Sequence, residues 1–533
     1  MNVPLTPIRF LRYASDQYPD NTAVVCGAQR FTYAQFAERV SRLAGALRGL
    51  GVAEGDRVAL LSFNCHRLLE AYFGVLEAGA ILAPLNARLA VEELLPVLTD
   101  CAPAIVLFDK TLAATVESFH EDTPAVRNYV LLDGAIDASW LSAQSYDDLL
   151  SSAAPYHADL MRIDENSVAE LFYTSGVSAH PKGVMLTHRN VYLHAVNAAL
   201  AFNTTAVDAH LHAVPLFHAN SWGAAHVITL MGGKHVMLRS FEPSDALRLM
   251  ARERVRSCLL DPEMAIALLR APERHECELS SLKWVAIGGG PSSPTLVREV
   301  RERLGCDCFC GYGLTETSPI VAISRRRPGV NWKGEQHYER QAMAGYAIPG
   351  VEVRILDENG GDAPRDGRTV GEVVVRGDGV MRGYWGQEQA AARALRDGWF
   401  HTGDLATIDA HGYISIVDRK EDVIGAGEER ISSLKLEETL RAHPCVHDAA
   451  VISDETGERA AKAFVALKPG KRVSEDDIMA FCRARLPEHK ALQDVEFVGE
   501  LPKTASGKTR KWKLRDSRVK KRFEHALAAP DLT

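Results

Sequence analysis

At 533 residues the chain is longer than one core supports, because single cores stop growing near ~250–300 residues, so two or more domains are expected. An apolar fraction of 46% with 24% charged residues is that of a soluble globular protein, and a net charge of −8 gives no global basic field for nucleic acid. No apolar run is long enough to cross a bilayer, Met1–Asp20 lacks the basic-then-apolar order of a secretory signal, and the ten cysteines follow no disulfide framework, which together predict a cytoplasmic location.

Phe36, Val40, Leu43 and Leu47 recur on one helical face, and Thr32 with Gln35 has the spacing of a capping box to start that helix. Gly49 and Gly51 punctuate its end, and Arg57–Ser62 then reads as a buried strand. Helical and strand-like stretches keep alternating to about residue 320, Ala104–Asp109 being another strand. This rhythm predicts an α/β chain of parallel sheets with helices on both faces. Cys306, Cys308 and Cys310 alternate, which places three thiols on one face of a short strand. Buried thiols acting as small apolar side chains account for them better than a metal site, since no histidine pair at ligand spacing stands beside them.

From about Gly345 the texture changes. Gly350–Gly361 and Val370–Gly379 alternate apolar with polar residues and end in turn chemistry, which predicts a smaller antiparallel sheet or barrel. After Asp418–Asp422 comes a compact α+β pattern, with a helix near Leu434–Ala442, a strand near Ala449–Ile452 and another at Ala461–Leu467. Leu501–Thr533 holds ten Lys or Arg against three Asp or Glu; it reads equally as a solvated helix or as an attractor of phosphates.

Tyr173–His188, YTSGVSAHPKGVMLTH, packs hydroxyls, two glycines and a lysine together. It is not a Walker loop, because the residue before Lys182 is Pro181, where that pattern requires glycine. Backbone N–H groups in such a loop, with Lys182 as a point charge, would make an anion nest; an ordinary polar loop has the same composition.

Six further stretches follow: PLFHANSWG (Pro215–Gly223), GGGP (Gly288–Pro291), GYGLTETSP (Gly311–Pro319), GWFHTGDLA (Gly398–Ala406), DRKEDVI (Asp418–Ile424) and LPKTASGKTRK (Leu501–Lys511). In this order they resemble the adenylate-forming, AMP-binding superfamily of acyl- and aryl-CoA ligases, luciferases and peptide-synthetase adenylation domains, over about Phe31 to Arg515. Pro215–Gly223 most resembles the medium- and long-chain fatty acyl-CoA ligases. The resemblance implies a large N-terminal adenylation domain, residues 1–417, of two parallel α/β subdomains plus a small β-barrel. It also implies a hinge at 418–422 and a small mobile α+β C-terminal domain at 423–533. The implied reaction is ATP-dependent. A carboxylate attacks the α-phosphorus of MgATP to give acyl-AMP and pyrophosphate, and the thiol of CoA then displaces AMP. ATP, Mg²⁺, CoA and a carboxylic acid, with a medium- or long-chain fatty acid foremost, are the implied partners of a monomer or homodimer. Alternatives are an acyl-AMP ligase that loads a carrier-protein phosphopantetheine, and a degenerate member that binds nucleotide without turnover.

The resemblance also assigns roles. Thr174, Ser175, Gly176, Ser178 and Lys182 belong to a loop over the β- and γ-phosphates. Thr315 would hydrogen-bond the α-phosphate and Glu316 would hold Mg²⁺, a hard cation that prefers oxygen. Tyr312, between Gly311 and Gly313, would stack on adenine opposite Gly289, Gly290 and Pro291. Asp404 would accept the ribose hydroxyls, and Arg419 would reach ribose or phosphate. His218 opens the acyl pocket, where Ala219, Ser221 and Gly223 leave room for a chain. Lys508 would bridge the attacking carboxylate and the α-phosphate, Glu421 is the pivot, and Gly427 with Glu428 line the thiol's approach.

Two departures stand out. Val177 and Ala179 replace a threonine and a glycine of the family loop; where the glycine needs positive φ, Ala179 costs on the order of 1–3 kcal/mol, so weaker ATP binding is expected. Gly427-Glu428-Glu429-Arg430 replaces Gly-Gly-Glu-Asn, adding bulk and charge where the thiol would enter.

Overall fold

The structure is a computed structural model that describes residues 2–134, 144–174, 181–327, 329–330, 332–424, 431–453, 461–486, 492–503 and 509–515. Helix Tyr33–Gly49 begins with the expected box: the Thr32 hydroxyl accepts from Gln35 N, and the Gln35 side chain accepts from Thr32 N. Phe36, Val40, Leu43 and Leu47 all face inward and are buried.

Two large sheets form the main body. The first has eight strands in the order Gly383–Tyr384, Lys182–Thr187, Val168–Thr174, Ile81–Leu85, Arg57–Leu61, Ile105–Phe108, Asn128–Leu131 and Gln144–Ser145. The second has nine: Tyr346–Ala347, Ile320–Ile323, Asp307–Gly313, Trp284–Ile287, Ser257–Leu260, Ala209–His212, Lys234–Met237, Thr22–Cys26 and Gln29–Thr32. Their interiors are parallel, and strands such as Ile81–Leu85 and Ile105–Phe108 are buried along their whole length, as sheets covered on both faces require.

The parallel order gives way near the edges. Val168–Thr174 pairs antiparallel with Lys182–Thr187, and Asp307–Gly313 pairs antiparallel with Ile320–Ile323. Both reversals fall on stretches singled out in the sequence. Cys306, Cys308 and Cys310 lie in the core of the nine-stranded sheet with Cys258, and burial pushes the Cys306 and Cys310 thiols up to about 12.

The small barrel expected after Gly345 is a half-barrel of five strands: Val351–Leu356, Gly371–Gly377, Trp399–Ile408 and Leu395–Arg396 in order, with Ile414–Arg419 beside Trp399–Ile408. The chain divides into two compact units, one reaching Val353 and including Val375–Phe400, the other made of Arg354–Val374 and the chain from His401 onward. The second unit ends in a three-stranded sheet. There Ala461–Leu467 lies between antiparallel Val446–Ser453 and parallel Asp494–Val498, with helices Ser433–Arg441 and Glu475–Arg483. Among the described residues no helix is long and apolar enough to cross a membrane.

Histidines fill part of the nine-stranded sheet. His212 Nε2 meets His235 Nδ1 at 2.9 Å, and His210 Nδ1 meets the Ser257 hydroxyl at 2.9 Å. Burial pushes His210 down to about 4. Its neutrality therefore contributes stability above the unfolded value of about 6.5, and that contribution is lost as pH falls from there toward 4. His210→Asn is expected to flatten the acid slope of unfolding free energy by up to ~1.4 kcal/mol per pH unit, read from denaturant titrations at pH 7, 6 and 5. An unchanged slope would show that His210 does not titrate on unfolding.

Candidate active site

The stretch from Tyr173 to His188 closes a hairpin, with Thr174 paired directly to Lys182 and Tyr173 to Gly183. A Walker loop joins a strand to a helix, whereas this one turns between antiparallel strands. Ser175, Gly176 and Ser178 lie outside the described residues, as do Val177 and Ala179. Lys182 Nζ sits 5.1 Å from the ring centroid of Tyr384.

Gly311, Tyr312 and Gly313 end the strand Asp307–Gly313, with Tyr312 opposite Ala322 and Gly313 opposite Ile320. A Cβ on Gly313 would run into the carbonyl oxygen of Pro319, so the turn closes only on glycine. The chain then makes a short 3₁₀ turn, Thr315–Thr317, in which the Thr317 hydroxyl donates to Pro319 O at 2.6 Å and accepts from Leu314 N at 3.2 Å. This turn presents Thr315, which is buried, and Glu316, which is half-buried. Glu316 O accepts from Met381 N at 2.8 Å, and its Oε1 accepts from the Tyr384 hydroxyl at 3.0 Å. Among the described residues no cation pairs with this carboxylate. A half-buried negative charge whose hydrogen-bond donor is neutral suits a hard divalent cation, which would in turn attract phosphate oxygens.

Strand Trp284–Ile287 lies parallel to Asp307–Gly313, with Ile287 opposite Cys310, so Gly289, Gly290 and Pro291 leave the sheet next to Gly311 at the carboxyl ends of neighbouring strands, where open α/β sheets bind ligands. A Cβ on Gly288 would strike the indole of Trp222, so the glycine run and Pro215–Gly223 are in contact.

His218 is half-buried and starts an unusual turn, since Ala219, Asn220, Ser221 and Trp222 have φ of 43°, 44°, 53° and 57°. Consecutive left-handed residues other than glycine cost roughly 1–2 kcal/mol each, so something must hold them. Asn220 Nδ2 donates to Glu170 Oε2 at 3.0 Å, Ser221 Oγ donates to Val214 O at 3.2 Å, and Glu170 Oε1 is 2.5 Å from His226 Nε2. Ala219 and Ser221 are 2% and 0% exposed. Ala219 and Ser221, the small residues expected to leave room for a chain, are packed inside this left-handed turn. His194 Nε2 accepts from Ile320 N at 3.0 Å, and burial pushes this imidazole down to about 3, so it is a neutral acceptor at physiological pH.

In the second unit Asp404 and Arg419 face each other across paired strands, with Arg419 Nε 3.5 Å from Asp404 Oδ1. Asp404 is buried, and its amide donates to the Thr402 hydroxyl at 3.0 Å. Glu421 lies 3.5 Å from Arg419 NH1, and burial raises its carboxyl above the usual range.

Among the described residues of the basic C-terminal segment, 501–503 and 509–515, several basic side chains are ion-paired. Lys511 is 9% exposed and reaches Glu437 Oε1 and the Ser433 hydroxyl, both at 2.7 Å, while Ser433 Oγ donates to Asp418 Oδ1 at 3.0 Å. Arg515 pairs with Asp422 at 2.5 Å, and Lys503 pairs with Asp448 at 2.8 Å. Lys503 is bridged to Thr509. Lys508, Gly427 and Glu428 lie outside the described residues.

Within the first unit the structure thus joins Lys182 and Glu316 through Tyr384, which sequence reasoning missed. Its only signal was a Gly-Tyr-Trp in a turn-rich stretch. Trp222, Glu170, Asn220 and His194 were missed as well; Asn220 and Trp222 lie inside a quoted motif, but nothing local marks a left-handed turn.

Known proteins match this layout. The family model described as AMP-binding enzyme matches residues 11–385, and that of the AMP-binding enzyme C-terminal domain matches 435–508. A long-chain-fatty-acid–CoA ligase of Thermus thermophilus is 34% identical over 91% of this chain and 90% of its own length. A feruloyl-CoA synthase of Amycolatopsis sp. is 36% identical over 96% of this chain and 97% of its own. The solved structure of o-succinylbenzoate CoA synthetase from Bacillus subtilis, in complex with its acyl-adenylate intermediate, superposes with a TM-score of 0.82 at 28% identity, covering 97% of this chain and 98% of that one.

Proposed function

Because this chain belongs to the AMP-binding enzyme family, as an acid–thiol ligase working through an acyl-adenylate, we propose that it activates a medium- or long-chain aliphatic acid and transfers the acyl group to CoA. The observation that carries the activation step is that the Glu316 carboxylate, with no cation partner among the described residues, and the Lys182 ammonium both contact Tyr384. Joining a carboxylate to a triphosphate brings two anions together, so positive charge must stand where negative charge accumulates. Glu316 would hold the divalent cation, which would neutralise phosphate charge, Thr315 would donate to the α-phosphate, and Thr174 and Lys182 would serve the β- and γ-phosphates. Tyr312 and Gly289–Pro291 would take the adenine, Asp404 and Arg419 the ribose, and Lys508 would be the cation for the α-phosphate. The hydrocarbon preference is supported by the similarity of Pro215–Gly223 to fatty acyl-CoA ligases and by the 34% identity to a long-chain-fatty-acid–CoA ligase.

Incubation with MgATP and straight-chain acids of increasing length, with and without CoA, tests the reading. Pyrophosphate that depends on acid, and AMP with thioester that depend on CoA, are expected, with medium and long chains foremost. The Gly427-Glu428-Glu429-Arg430 segment favours a second reading, transfer to a carrier-protein phosphopantetheine. Acyl-adenylate trapped by hydroxylamine, with no thioester from CoA, supports that reading. Absence of pyrophosphate with every acid contradicts both.

A further inference from the structure

We propose that Tyr384 is a positioning residue that sets Glu316 for the divalent cation and holds Lys182 at the phosphate end of the same site. This rests on the reading that Glu316 binds the metal and Lys182 meets the phosphates. Three observations carry it. The Tyr384 hydroxyl donates to Glu316 Oε1 at 3.0 Å, and the Lys182 ammonium lies 5.1 Å from the centre of the same ring. One side chain therefore touches both charged groups, using its polar edge for one and its π-face for the other. Tyr384 is 6% exposed.

Its backbone is fixed at both ends of the same segment. Gly383 and Tyr384 pair with Met185 and Val184, just beyond Lys182 on the hairpin strand. Met381 N donates to Glu316 O at 2.8 Å, and Gln387 Nε2 donates to Pro181 O at 3.0 Å. The segment from Met381 to Gln387 thus links the base of the phosphate hairpin to the Thr315–Glu316 turn, with Tyr384 between them. Without the hydroxyl, Glu316 has no other side-chain partner among the described residues to select its rotamer, and the metal must order it on binding.

The test uses the full chain without acid, so that no turnover occurs. ATP-induced thermal stabilisation is measured across a Mg²⁺ or Mn²⁺ titration, and ATP affinity is measured calorimetrically in EDTA. Tyr384→Phe keeps the ring and removes the hydroxyl. It should raise the half-saturating metal concentration about 5-fold and leave metal-free ATP affinity within twofold. Tyr384→Leu removes the ring as well, and should weaken metal-free ATP binding about 3- to 10-fold through Lys182. In a Glu316→Gln background Tyr384→Phe should have no further effect on the metal response. A metal response equal to wild type in Tyr384→Phe overturns the proposal while leaving the Glu316 reading intact. A wild-type protein with no metal response at all refutes the Glu316 reading itself. A Tyr384→Phe protein that fails to fold also overturns the proposal, since the hydroxyl would then be structural.

Discussion

Lys508→Ala is expected to slow acid-dependent pyrophosphate release by about 10²–10³-fold while leaving nucleotide affinity within a few-fold of wild type. The expectation is electrostatic. On the proposed reading the ground-state triphosphate would already meet Lys182 and a metal held by Glu316, so removing a further ammonium should cost little in binding. The charge that develops as a second anion attacks the α-phosphorus has no such prior compensation. Lys508 directly precedes Thr509, which is bridged to Lys503, and Lys503 is ion-paired to Asp448 at 2.8 Å. Pyrophosphate release and nucleotide titration on the same preparation check this; a parallel fall in affinity and rate would instead make Lys508 a binding group.

Lys511→Met is expected to destabilise the C-terminal unit by about 3 kcal/mol. Lys511 joins Glu437 to Ser433, and through Ser433 to Asp418, while Glu437 Oε1 also accepts from Val451 N at 3.0 Å. Breaking one side of a buried pair strands the other charge, a loss of roughly 3–5 kcal/mol that Arg441, 3.2 Å from Glu437 Oε2, partly offsets. A chain of two units does not unfold in one step, so amide exchange in Val446–Ser453 and Ala461–Leu467 is the proper measure. Protection there should fall about 10²-fold in Lys511→Met and recover largely in Lys511→Met with Glu437→Leu. Unchanged protection would mean that Lys511 is a solvated surface charge after all.

What was legible in the sequence was local. The helix at Tyr33–Gly49 announces itself through a cap and a period that act within a few residues, and Cys306–Cys310 shows its inward face through strand alternation. The order of the motifs located the hairpin, the Thr315–Glu316 turn and the Asp404–Arg419 pair. What escaped depends on distant contacts. Tyr384 reaches Glu316 across 68 residues, Asn220 reaches Glu170 across 50, and Lys511 reaches Ser433 across 78. No periodicity encodes such pairings. The left-handed turn at Ala219–Trp222 escaped for a related reason: its backbone is disfavoured by its own residues and is held by Glu170, a residue on another element. Lys511 sits among ten basic residues, and composition alone cannot distinguish the buried one.

The central claim is that a carboxylate oxygen forms a bond to the α-phosphorus of ATP. Supplying an acid with both carboxylate oxygens as oxygen-18, together with MgATP and the accepting thiol, and weighing the AMP by mass spectrometry tests it directly. AMP carrying one heavy oxygen is the predicted result, because the thiol breaks the acyl C–O bond and leaves that oxygen on phosphorus. Unlabelled AMP, or label in inorganic phosphate, would contradict the account.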